Sequence, residues 1–375
     1  MHILVVGRTL PDNKNSAYGV FEFEQARHLN KKTKTGFLFV NTSSLKTLRK
    51  IEKINKNIKD VDVVGSYFPI KGLPTILYNK IRARLFIESF NNYTSLYGVP
   101  DIVHIHFPLL VLNTDIISFL KSQKVKIAMT EHWTKIQYNQ LSLEQITLLK
   151  ELIKIADIFI TVSKELKNSI NNLTKTDNDI KVIPNMVDDT FYKIPISDKI
   201  NKKFIFTYIG RLVKVKRVDY LIEAFKEIFG NNDNVELQII GDGTMMNKLK
   251  KQSSGTDNIT FTGNLDRNEL AHELSKSSSF VTASNFETFG VPVIEAMSLG
   301  IPVLCSEDIP AAIYVNDKNG MLFNPNKLLD LSNKLGKMYS EIDSFSSEEI
   351  RNTSYDKFSS NAVTNMLLNL YTASI

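Results

Sequence analysis

Residues Ser279 to Ser306 read SFVTASNFETFGVPVIEAMSLGIPVLCS, two β-branched runs, SFVTAS and PVLCS, on either side of a helical stretch. A strand that runs through a loop into a helix and on to a second strand is one βαβ unit of a parallel sheet. With the helix starting near Gly290, its free N–H groups offer a site for phosphate. Glu287 then lies in the loop and Glu295 about one and a half turns into the helix. At a rise of about 1.5 Å per residue, eight residues hold two carboxylates farther apart than the roughly 5 Å of a retaining hydrolase pair. Binding of hydroxyl groups suits them better than acid–base hydrolysis. The spacing alone also fits an ordinary helix with one buried and one exposed Glu; the order ETFGVPVIEAMSLGIPV is far more specific.

Outward from this unit the same alternation continues. Upstream stand KFIFTYIG, VELQIIG and ITFTG, downstream GMLFN, with helical patterns such as VDYLIEAFKEIF between them. The first half repeats it with HILVV, GFLFV, VDVVG, DIVHIHF, VKIAMT and DIFITVS. The expectation is therefore an α/β protein with two Rossmann-like halves and a crevice between them, in which ligands bind at the carboxyl ends of strands. IPNMVDDTFYKIPISDKINKK is the linker, and the chain ends in a helical stretch that adds no strand. Expected boundaries are residues 1–190 and 191–357, with 358–375 packing back on the first half. The length of 375 residues fits two domains of about 150 residues each plus a junction.

Composition narrows the class. Hydrophobic residues make up 43% and charged residues 23%, a soluble mix that argues against disorder and against an integral membrane protein. MHILVVGRTL reads as a first strand rather than an export signal, so a cytoplasmic location is expected. The single cysteine, Cys305, forms no internal disulfide and no zinc site by itself and reads as a buried strand residue. A net charge of +6 admits nucleic acid, a membrane surface or a phosphorylated small molecule as partner.

Gly210-Arg211-Leu-Val-Lys214-Val-Lys216-Arg217 follows the strand FIFTYIG. Arg offers a planar fork and Lys a point charge, which together suit a diphosphate. Taken with IIGDGTMMNKL, FTGNLDRNEL, SNFETFGVPVIEAMSLGIPV, NGMLF and VIPNMVD, this order resembles the retaining GT-B glycosyltransferases of family 4 over almost the whole chain. The resemblance implies the GT-B fold, a nucleotide-sugar donor and no cofactor or metal. It implies that Arg211 and Lys216, on the loop opened by Gly210, hold the donor diphosphate. It implies further that Glu287 bonds hydroxyls of the donor sugar and Glu295 the ribose, while Thr288, Phe289, Gly290 and Val291 meet sugar and phosphate. SEDIPAAIYV departs from the Gly-Gly pair and acidic residue of many relatives.

The first half matches more loosely. Gly19, within AYGVFEFEQA, corresponds to the glycine loop that approaches the diphosphate, where relatives often have two glycines. In Thr130-Glu131-His132-Trp133, which follows VKIAM, His132 matches the histidine that many relatives place beside the donor sugar, and Glu131 is a candidate for acceptor contact. His104 and His106 share one face of their strand; His104 reads as structural and His106 as nearer the acceptor. Two histidines bind a metal only with a third ligand, which spacing does not indicate. Residues 45–59 read as a basic amphipathic helix, for which a solvated surface helix packing its apolar stripe on the sheet is the plainer reading; with Tyr78 to Phe86 as a second basic and apolar patch, peripheral contact with anionic lipid is the alternative.

The expected function is retaining transfer of a hexose or N-acetylhexosamine. The donor is a nucleotide sugar, a UDP-sugar first and a GDP-sugar next, and the acceptor a glycan or lipid-linked molecule of surface polysaccharide, capsule, lipopolysaccharide or glycoconjugate synthesis. The alternative is a non-catalytic sugar-nucleotide-binding partner or sensor. A dinucleotide oxidoreductase lacks its G-x-G-x-x-G after the first strand, and nucleic-acid binding has only the charge in its favour.

Overall fold

The computed structural model describes residues 1–11, 19–42, 50–70, 72–175, 177, 179–196 and 203–374. These divide into two compact units, residues 1–186 with 363–375, and residues 187–362. The expected boundaries fell at 190/191 and 357/358.

The first unit is built on eight strands: β1 (His2–Gly7), β2 (Lys34–Asn41), β3 (Glu52–Ile58), β4 (Val61–Tyr67), β5 (Ile102–His106), β6 (Lys126–Glu131), β7 (Ile158–Thr161) and β8 (Ile180–Val182). Their order is β3-β4-β2-β1-β5-β6-β7-β8, all parallel except the β3–β4 pair. Near-continuous apolar runs such as ILVV and GFLFV belong to strands covered by helices on both faces, and Ile3, Val5, Phe37 and Phe39 have no exposed surface. The last helix, Ser360–Thr372, puts Val363, Leu367 and Tyr371 into this same core.

One element corrects the sequence reading. Of residues 45–59, read as a basic helix, 45–49 lie outside the described residues, and Glu52–Ile58 is an antiparallel edge strand. Ile51, Ile54 and Ile58 fit a helical spacing, but Ile51 lies outside the strand, and within it Ile54 is buried and Ile58 half-buried on one face. The turn settles it: Ile58 pairs with Val61 across Lys59 and Asp60, both at positive φ (48° and 68°), the backbone of a two-residue primed hairpin turn. Lys53 and Lys56 stand exposed along the strand, where charge guards an open edge.

The second unit holds β9 (Phe204–Ile209), β10 (Val235–Ile240), β11 (Ile259–Gly263), β12 (Ser279–Thr282), β13 (Val303–Ser306) and β14 (Gly320–Phe323). They run parallel in the order β11-β10-β9-β12-β13-β14, the doubly wound arrangement in which the chain reverses direction between the first and fourth strands. Cys305, on β13, is fully buried, and burial pushes its thiol up to about 12.

Candidate active site

In the second unit the strand order changes sense between β9 and β12, so the loops after those two strands lie side by side at their carboxyl ends. Ligands of open α/β sheets bind at such places. The loop after β9 carries Arg211 and a short 3₁₀ turn, Lys214–Lys216; the loop after β12 carries Glu287. Lys216 Nζ and Glu287 Oε1 form an ion pair, with the two side chains only 16% and 19% exposed. Two residues 71 apart in sequence are thereby brought together. Arg211 stands exposed in the same loop. Beneath them lies Tyr208, held above the usual phenol range by burial and then by the charge of Glu287, with Arg211 opposing.

Gly290 opens the helix Val291–Ser298 with φ 106°, and a Cβ there would lie 2.8 Å from the Cβ of Ala311. Only glycine meets both demands. The first N–H groups of the helix therefore begin right after Glu287 and Thr288. Phe289 turns its ring inward, against Tyr314 and Phe358, which leaves its backbone to the loop; Thr288 and Val291 are half-buried. Gly210 and Gly241 sit where β9 and β10 end, and a Cβ on Gly241 would lie 2.1 Å from the Gly210 carbonyl oxygen.

Glu295 is 2% exposed and bonds Arg267 Nη1 at 2.7 Å. The guanidinium of Arg267 lies 4.7 Å over the ring of Phe191. Arg267 is the residue that motif reading passed over. It sits in FTGNLDRNEL at the first position of the helix Arg267–Ser275, whose Asp266 closes a capping box with Glu269. The D-x-x-E pattern marks the helix start, but nothing local in sequence joins Arg267 to Glu295.

In the first unit, Gly19 begins the helix Val20–Asn30 at φ 78°, where a Cβ would come within 2.2 Å of the Thr9 carbonyl oxygen. The histidines form a column. His104 and His106 stack with ring centroids 4.6 Å apart, His106 and His132 at 5.3 Å, and Phe107 on His132 at 4.7 Å. His104 Nδ1 accepts from the Gln25 amide at 3.0 Å and from the Tyr371 hydroxyl. Its proton therefore sits on Nε2, which donates to Thr130 Oγ1 at 2.7 Å. His106 Nδ1 and His132 Nε2 share one hydrogen bond of 3.0 Å. Burial, then the positive charge of Arg8 and the neighbouring His104, pushes His132 down to about 3; burial likewise holds His104 and His106 well below the ordinary range. All three imidazoles are neutral at working pH. Phe107 carries φ 51°, an uncommon backbone for a bulky residue, kept in place between His132 and the Arg8 guanidinium 3.5 Å over its ring.

Three sequence expectations change here. Glu131, a candidate for acceptor contact, has no exposed surface. Its Oε1 accepts the backbone N–H groups of His132 and Trp133 at 2.8 and 2.9 Å, and burial raises its carboxyl to about 7. It shapes the loop that presents His132. His106, the other acceptor candidate, is 1% exposed and belongs to the column. The basic patch from Tyr78 to Phe86 is divided: on the helix Thr75–Tyr97, Lys80 and Arg84 are exposed, whereas Arg82 turns in to bond the carbonyl oxygens of Leu110 and Leu112 at 2.8 and 3.0 Å. A third imidazole does join His104 and His106, but through a ring-to-ring hydrogen bond. Among the described residues no group of three or more His, Cys, Asp and Glu side chains is arranged to hold a metal ion.

Two doubly wound α/β units, the second with basic loop residues against glutamates at its switch point, define the GT-B class. The solved structure of sucrose-phosphate synthase from Thermosynechococcus elongatus superposes over 100% of this chain and 99% of its own with a TM-score of 0.76 at 17% identity. HepE of Anabaena in complex with UDP-glucose does so over 100% of both chains, with a TM-score of 0.74 at 16% identity. The family description "Glycosyl transferases group 1" matches residues 191–353, and "Glycosyltransferase Family 4" matches residues 23–191. The chain belongs to the family 4, group 1 glycosyltransferases. It is 28% identical over 234 residues, 58% of its length, to the N-acetyl-alpha-D-glucosaminyl L-malate synthase of Bacillus anthracis, and spans 60% of that relative. It spans 41% and 56% of two other curated relatives that it matches.

Proposed function

We propose that this chain is a retaining glycosyltransferase that moves a hexose or N-acetylhexosamine from a nucleotide sugar to a glycan or lipid-linked acceptor of surface polysaccharide, lipopolysaccharide or glycoconjugate synthesis, without a metal. The observation that carries the reading is the Lys216–Glu287 pair beside Arg211 at the switch point of the second unit. A cation and a carboxylate that fix each other need little reorganisation when a diphosphate and a sugar arrive. Arg211, Lys216 and the helix after Gly290 would meet the charge that develops on the departing diphosphate. Glu287 would bond sugar hydroxyls and Glu295, steadied by Arg267, the ribose. The acceptor hydroxyl attacks the anomeric carbon on the face from which the phosphate leaves. The C–O bond to phosphate breaks, and the hydroxyl proton passes to the departing phosphate oxygen, so no enzyme carboxylate serves as base. His132, neutral and fixed by His106, would act as a hydrogen-bonding group.

HepE of Anabaena binds UDP-glucose, which favours a UDP-sugar donor here. Calorimetric titration with UDP-, GDP- and ADP-sugars in the presence of EDTA, followed by NMR of the product anomer, tests donor, metal and stereochemistry together. The expected result is UDP-sugar binding and release of an anomer with the donor's configuration; binding without sugar release would favour the non-catalytic reading.

No helix of the described residues is long and apolar enough to cross a membrane. Leu73, Ile76 and Leu77 are 39, 74 and 46% exposed beside the exposed Lys80 and Arg84. Apolar and basic side chains at one helix start suit peripheral contact with an anionic lipid surface, and that contact is part of the proposal.

A further inference from the structure

The first unit holds a cavity of about 350 Å³ that the roles above do not use, within the range of small-molecule sites. It opens at the carboxyl ends of β1 and β2, where Arg8 and Thr9 follow the one strand and Asn41 and Thr42 close the other. Its apolar wall is Val40, Phe86, Leu110, Val111 and Ile116. Its polar wall is pre-arranged: Asn41 donates to Thr9 Oγ1 at 2.7 Å, and the hydroxyls of Thr42 and Tyr78 share a hydrogen bond of 2.6 Å.

Two arginines border this cavity, and they are not alike. Arg8 pairs with the buried Glu22 at 2.8 Å. Arg82 forms no ion pair among the described residues; its polar neighbours are the carbonyl oxygens of Leu110 and Leu112 and the Tyr78 hydroxyl, all neutral. Its Nε is enclosed without an acceptor. Burial accordingly lowers its pKa, the mark of a cation short of negative charge. A planar guanidinium pinned by two carbonyls and left uncompensated at a cavity wall is set for an anion that offers two oxygens, a carboxylate or a phosphate. At its other end the cavity reaches Arg8, whose guanidinium covers Phe107, which stacks on His132. A ligand seated on Arg82 thus extends toward the histidine assigned above to the reaction.

We propose that this cavity takes the acceptor, and that the acceptor carries an anionic group, a phosphate or carboxylate, held by Arg82 beside a compact body that lies on the apolar wall. The proposal rests on the glycosyltransferase reading and names its acceptor class.

The test is calorimetry on the full chain with matched ligands: glucose 6-phosphate against glucose, and octyl phosphate against octanol. Vesicles of phosphatidylglycerol against phosphatidylcholine separate a lipid headgroup from a free phosphate ester. At least tenfold tighter binding of the charged member is expected, falling to within twofold in Arg82→Gln. Because Arg82→Gln also removes the bonds to Leu110 and Leu112, Val111→Asp serves as second variant. It keeps Arg82 and supplies the missing carboxylate, and it too abolishes the preference. Equal binding of charged and neutral members by the wild type, or a preference that survives in either folded variant, overturns the proposal. UDP titrated in parallel keeps the two readings apart: absent UDP binding removes the donor assignment while the anion preference of the first unit stands or falls by itself.

Discussion

The two units treat their polar residues in opposite ways. In the second unit, cations and carboxylates pair directly, Lys216 with Glu287 and Arg267 with Glu295. In the first, three neutral imidazoles are stacked, His104 and His106 buried and His132 half-buried, with the carboxyl of Glu131 held up to about 7. One arrangement offers charge to a ligand; the other spends its hydrogen bonds within the chain and offers shape and direction. Acid should separate them. A His whose folded pKa lies below its unfolded value of about 6.5 favours the folded state above pH 6.5, and that advantage is lost as pH falls toward the folded pKa. His104, His106 and His132 therefore all take up protons more readily in the unfolded chain. Glu131, raised to about 7 from 4.5, runs the other way and takes up one proton in the folded state between those values. Three imidazoles against one carboxyl make the balance one-sided, so the first unit should lose stability as pH falls from 6.5 toward 4.5. Trp133, the only tryptophan, lies in the first unit and reports it in urea melts. A Trp133 transition that ignores pH over this window would break the comparison.

Lys216→Ala probes the other side. Removing one cation that meets developing charge typically lowers turnover about 10²–10³-fold, and Lys216 lies in a half-buried surface loop rather than in the core, so the fold should survive. Turnover within tenfold of wild type, with the melting curve unchanged, would remove Lys216 from its assigned role.

Gly290→Ala is expected to weaken UDP binding about tenfold and to cost about 2 kcal/mol of stability, because a Cβ meets Ala311 and a positive φ is imposed on alanine. Calorimetry and thermal melting of the variant check both numbers. Undiminished UDP affinity would mean that the loop before Val291 does not shape the donor site.

The same contrast explains what the sequence let one read. Arg211, Lys216, Glu287 and Gly290 each lie in a short motif directly after a strand, so local order places them and sheet topology brings them together. Strand patterns were equally plain in all six runs of the second unit. The edge strand β3 reads as a helix because Ile51, Ile54 and Ile58 fit the helical spacing while Ile54 and Ile58 alone also share one face of a strand, and the positive φ of Lys59 and Asp60 decides between them. Arg82 looked like one more surface cation, since no local signal tells a solvated guanidinium from one turned toward Leu110 and Leu112. The histidine column was beyond reach for another reason: Gln25, His104, the Thr130–His132 stretch and Tyr371 come from four separate places in the chain, the last of them near its far end.

Tyr371 makes the smallest effect and the sharpest distinction. Its hydroxyl donates to His104 Nδ1, and its ring meets the imidazole edge-on at 5.8 Å. Tyr371→Phe keeps the ring and removes one donor, yet Gln25 still bonds the same nitrogen. The loss should be about 1 kcal/mol, read from Trp133 in urea, with UDP affinity unchanged because Arg211, Lys216, Glu287 and Glu295 are untouched. Gln25→Leu alone should behave similarly. The double variant leaves Nδ1 of a fully buried histidine without any donor, so its cost should exceed the sum of the two, as groups sharing one partner do. Strict additivity would show that the two donors act on His104 independently, and the column would then be a set of separate contacts rather than one hydrogen-bonded unit.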